Sequence, residues 1–72
     1  MARRSTQQKL GTRVRELRKQ RGWTQEKLEE HSGLDRTYIS DIERGVRNPS
    51  VKSLERLAKA LKVPASELVK DL

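Results

Sequence analysis

A chain of 72 residues and 8.3 kDa with 38% charged and 32% hydrophobic residues, no Phe, one Trp and one Tyr, has material for one small domain with a core of Leu, Ile, Val and Ala, and a second, effector-sensing domain is not expected. The absence of cysteine excludes disulfides and thiolate metal sites, and with no membrane-length apolar run and no signal-peptide hydrophobic region a cytoplasmic location is expected. The formal net charge of +7 sits entirely in the first third, where eight basic residues up to Gly22 face Glu16 alone, so a polyanionic partner and a solvated basic surface are both open readings.

Residues 1–8, MARRSTQQ, have nothing to bury and read as a flexible basic arm, leaving 9–72 as the folded domain. A first helix follows, with Leu10, Val14 and Leu17 on one face and Gly22 as its stop. Thr24 caps a second helix, and Trp23 and Leu28 around it have hydrophobic-staple spacing, which assigns Trp23 to the core. The lone His31, near the end of that helix, has no partner at metal-ligand spacing and reads as a surface residue.

Gly33 can reverse the chain in the left-handed conformation, and Asp35 can cap a third helix that ends at Gly45, with Leu34 and Ile39 repeating the staple. Ile39 and Ile42 turn inward. Arg36, Thr37, Ser40 and Asp41 point elsewhere. After the VRNPS turn, Ser50 caps a fourth helix whose apolar stripe is Val51, Leu54, Leu57, Ala58 and Leu61. A fifth begins near Pro64. The staple recurs with Val63 and Leu68, but Pro64 has no N–H for Glu67 to reach, so a reciprocal capping box is excluded there. Val69 and Leu72 exceed what so small a core needs. The segment TQEKLEEHSGLDRTYISDIERG, residues 24–45, is thus a helix-turn-helix pattern, a unit that can hold its second helix in a DNA major groove.

LRKQRGWTQEKL, SGLDRTYISDIERGVRNPS and LERLAKALKV, in this order over roughly residues 10–70, resemble the Cro/C1 (XRE) type of helix-turn-helix regulator. The resemblance implies an all-α, five-helix, lambda-repressor-like domain that binds double-stranded operator DNA as a homodimer, in a prokaryotic or phage setting. Position by position, it puts Arg36, Thr37, Ser40 and Asp41 against base edges. Arg36 suits guanine O6 and N7, Thr37 a thymine methyl or a phosphate, and Asp41 a cytosine amino group or, equally, an ion pair with Arg44. Thr24, Gln25, Tyr38, Arg44, Arg47 and Asn48 match positions at the sugar-phosphate backbone, with the Tyr38 ring packed and its hydroxyl toward a phosphate. Arg18 and Glu43 match a structural pair between the first helix and the end of the recognition helix.

The family usually carries a small residue at the position of Glu29. That side chain is expected to snorkel outward or to pair with Arg36, and Glu29→Ala to be neutral or stabilising. Val69 and Leu72 are the expected dimer surface, and Arg3 and Arg4 of the arm are expected to add salt-dependent affinity. The serines have cap, turn or helix-surface explanations, so no enzyme, cofactor, metal or small-molecule ligand is expected. A transcriptional repressor at an inverted repeat, a restriction-modification controller and an antitoxin-type autoregulator share this pattern. A protein-interaction module on the same fold is the reading from a different class.

Overall fold

The computed structural model describes residues 4–72, in five helices: α1 (Thr6–Gln20), α2 (Gln25–Ser32), α3 (Arg36–Glu43), α4 (Val51–Leu61) and α5 (Ala65–Val69). Four start on a side-chain cap: Ser5, Thr24, Asp35 and Ser50 accept from the backbone N–H of Gln8, Lys27, Thr37 and Ser53. Pro64 heads α5 without a side-chain hydrogen bond, as its missing N–H and apolar ring require. α1 and α3 both close in a glycine with positive φ, Gly22 and Gly45, and the residue after each returns its N–H to the carbonyl five residues back.

The domain starts earlier than residue 9. Ser5 and Gln8 form a reciprocal capping box, so Thr6, Gln7 and Gln8 are the first turn of α1 and not part of an arm. Arg4 lies along that turn, its guanidinium donating to the Gln8 carbonyl and to the Thr12 hydroxyl, while Arg3 lies outside the described residues.

The core is Leu10, Val14, Leu28, Leu34, Ile39, Ile42, Leu57, Ala58, Ala60, Leu61 and Leu68, edged by Leu17, Trp23, Tyr38, Leu54, Val63 and Leu72. α1 crosses α3, α4 and α5, and α2 is packed against α3 and α4. Val51, assigned to the α4 stripe, is instead 78% exposed: at the first helical position it precedes the turn on which the helix meets the core. Trp23 is half-buried at the core's rim. Its outer face stacks on the exposed His31 ring, centroids 4.4 Å apart, with the Arg21 guanidinium 5.3 Å from the indole.

The backbone of α1 runs directly against the end of α3. A Cβ on Gly11 would collide with the Ile42 carbonyl oxygen and lie 2.7 Å from that of Glu43, so only a glycine permits this crossing.

Candidate nucleic-acid interface

The orientation of α3 is fixed from α1. Arg18 reaches across the crossing, its Nε donating to Glu43 Oε2 at 2.8 Å and its Nη2 to Oε1 at 2.9 Å, while Nη1 donates to the Trp23 carbonyl at 2.8 Å. Both side chains are nearly sealed from solvent, at 10% and 4% exposure, so this is a buried bidentate pair that also pins the α1–α2 turn. The hydrogen bond to Glu43 is the main reason the guanidinium is held above the ordinary arginine range. Burial opposes it, and the charges of Glu43 and Glu26 add to it. A folded value above the unfolded one gives a contribution that is complete at every pH below the ordinary arginine value and is lost only above it.

On that frame α3 presents its outer face beside the start of α2. Gln25, Arg36, Thr37, Ser40, Asp41 and Arg44 line one open recess of about 220 Å³. All four residues assigned to base edges are in it, joined by Gln25 and Arg44 from the backbone set. Gln25 is tied in through its amide Nε2, which donates to Glu43 Oε1 at 3.2 Å, so the buried pair also orients a residue of the recess.

The remaining backbone candidates lie outside this recess. Thr24 uses its hydroxyl as the α2 cap. The Tyr38 hydroxyl, expected to reach a phosphate, is engaged inside the protein: it donates to Ser53 Oγ at 3.0 Å and accepts from the Ser50 N–H at 3.3 Å. Tyr38 thereby fastens α3 to the start of α4 and offers its ring to Arg47, whose guanidinium lies 4.7 Å from the ring centroid. Arg47 and Asn48 are exposed on that loop.

Glu29 takes neither of its expected places. Its carboxylate accepts from the backbone N–H of Arg36 at 3.1 Å, capping the first turn of α3, while Asp35 serves Thr37 at 2.9 Å. The Arg36 guanidinium instead lies 3.7 Å from Glu26, and Arg44 pairs with Asp41 at 2.9 Å, as the alternative for Asp41 anticipated. At the opposite end of the chain Val69 is 44% exposed and Leu72 is half-buried against the core.

Sequence reasoning passed over three positioning residues. Glu26 meets Arg36 only through the tertiary placement of α2 against α3, which no local pattern encodes. Arg13, donating to the carbonyls of Glu67 at 2.5 Å and Lys70 at 3.1 Å, fastens the end of α5 to α1, again over a long sequence separation. Gly11 carried only a weak signal: a glycine inside a helical pattern costs about 1 kcal/mol relative to alanine, which hints at a packing reason without saying which backbone comes close.

A family model described as helix-turn-helix matches residues 14–68. The uncharacterized HTH-type transcriptional regulator y4dJ of Sinorhizobium fredii is 47% identical over 60 residues, spanning 83% of this chain and 78% of that protein. Among solved structures, the restriction-modification controller protein C.AhdI from Aeromonas hydrophila superposes with a TM-score of 0.84 at 47% identity, covering 86% of this chain and 94% of that one. The controller protein C.Esp1396I, solved as a tetramer in complex with its natural 35 base-pair operator, superposes at 0.79 with 38% identity, covering 94% and 100%. With the capped helices, the buried pair and the exposed second helix of the motif, these matches make the chain a member of the helix-turn-helix family of Cro/C1 (XRE) type.

Proposed function

We propose that this protein is a sequence-specific DNA-binding transcriptional regulator that engages an inverted-repeat operator as a homodimer. The observation that carries the reading is the convergence of Arg36, Thr37, Ser40 and Asp41, with Gln25 and Arg44, on one exposed recess along the second helix of the motif. Arg36 there addresses guanine O6 and N7, Thr37 a thymine methyl and Ser40 either base type, with Asp41 able to accept from a cytosine amino group. Thr24, Gln25, Arg44, Arg47 and Asn48 set register on phosphates, Arg47 from its seat on Tyr38. Val69 and Leu72 supply the dimer surface, placing half-sites about 34 Å apart when both recognition helices occupy successive major grooves. No catalytic role is assigned to any residue.

Among the regulators that share this fold, control of a restriction-modification operon is favoured by the likeness to C.AhdI and C.Esp1396I, both controller proteins of that kind. The test is a selection of purified protein against a random DNA pool at two salt concentrations. Enrichment of an inverted repeat is the expected result. Uniform salt-sensitive binding without enrichment overturns the reading and leaves the protein-interaction module.

A further inference from the structure

The two arginines of the recess are already occupied. Arg36 faces Glu26 from the first turn of α2 at 3.7 Å, with side chains 57% and 65% exposed, and Arg44 faces Asp41 at 2.9 Å. The Arg36–Glu26 pair is solvated on both sides and the Arg44–Asp41 pair on the arginine side, the Asp41 side chain being 24% exposed, so stability is a weak reason for either and weakest for Glu26. Glu26, in the first turn of α2, is compatible with the positive end of the α2 dipole, but a phosphate would be favoured at that end as well. In a chain with a net charge of +7, these two carboxylates sit on the one face where a polyanion is expected.

We propose that Glu26 and Asp41 are specificity-determining residues that act by competition, an inference that rests on the operator-binding reading above. In the unbound protein they hold Arg36 and Arg44 away from phosphates. On an arbitrary duplex each arginine must exchange a carboxylate for a phosphate and leave the carboxylate facing the polyanion, which makes non-cognate binding unfavourable. A cognate site compensates the exchange, because a guanine offers Arg36 two aligned acceptors and a cytosine amino group offers Asp41 a donor. Glu26 touches no base in this scheme. It selects by holding Arg36.

The experiment compares Glu26→Gln and Asp41→Asn with the native protein on two labelled duplexes, one random in sequence and one enriched by the selection, across a salt series. Glu55→Gln is the control: it removes one exposed carboxylate from α4, outside the recess and outside every ion pair among the described residues. Glu26→Gln is expected to raise affinity for the random duplex about fivefold, the worth of one close unit-charge interaction in water, and to steepen its salt slope by about one. Affinity for the enriched duplex rises less, so discrimination falls. Asp41→Asn shifts random-duplex affinity the same way, and Glu55→Gln less than about twofold. Equal gains on both duplexes, or no difference between Glu26→Gln and Glu55→Gln, overturn the proposal while leaving the operator reading intact. A native protein that enriches no sequence overturns both.

Discussion

At the scale of single residues, the heaviest dependence is on Arg18 and Glu43. The substitution Arg18→Met leaves the Glu43 carboxylate buried with only the Gln25 amide, and releases the Trp23 carbonyl as well. A loss of about 3 to 5 kcal/mol in denaturant unfolding is expected, and combining Arg18→Met with Glu43→Leu recovers a large part of it, because the stranded charge is removed. Glu29 behaves differently from its sequence expectation. Having taken the Arg36 N–H as its partner, it stabilises the start of α3, so Glu29→Ala is expected to cost about 1 kcal/mol, as the loss of a helix cap does, with the melting temperature as the measurement. The sequence marked Glu29 as anomalous but not the direction of its effect. The atom that receives its carboxylate is a main-chain N–H seven residues on, placed by the turn geometry, and side-chain chemistry alone pointed to the guanidinium of the same residue.

Elements were more legible than contacts, for a physical reason: each helix advertises its own ends. Thr24, Asp35 and Ser50 cap from within three residues, and Gly22, Gly33 and Gly45 take the left-handed conformation at the turns they were expected to make. The boundary that failed, at α1, failed because residues 1–8 have nothing to bury, whereas the first turn of α1 is started by polar side chains alone, through the capping box of Ser5 and Gln8. The packing of one helix on another was not legible, since apolar periodicity states which face is buried and not how closely two backbones approach. Gly11 is the clearest instance. On an isolated helix Gly→Ala gains roughly 1 kcal/mol, yet here the new methyl meets two main-chain carbonyls that belong to α3 and cannot swing away. Gly11→Ala is therefore expected to destabilise by about 1 to 3 kcal/mol, the usual cost of overpacking. It should also weaken DNA binding by tilting α3, a combination read by thermal melting and operator titration of the same sample.

For the whole molecule, the homodimer proposed above raises the question of which surface would join two copies. The apolar surplus at the carboxy-terminal end was visible in the sequence, but its two members differ: Leu72 is packed partly against its own core, whereas Val69 is 44% exposed and adds little within the monomer. Arg13 holds the α5 end through the Glu67 and Lys70 carbonyls, so Val69 is displayed on a fixed support. Leu72 substitutions would mix monomer stability with association. Val69→Asp separates them. In a two-fold interface the new carboxylate appears twice, desolvated once on each subunit, so the dimer dissociation constant is expected to rise at least about a hundredfold, equivalent to roughly 3 kcal/mol. The melting temperature of the dilute monomer should stay within a degree or two, because the substituted position lies outside the core. Sedimentation equilibrium reads the first quantity and calorimetry at low concentration the second. Operator binding then becomes the decisive readout: a protein whose two recognition helices are no longer joined should occupy each half-site independently, with a linear rather than squared dependence on protein concentration. Undiminished cooperative binding by Val69→Asp would move the dimer surface away from α5, toward the other exposed apolar residues, Val46 and Val51, beside the α3–α4 loop.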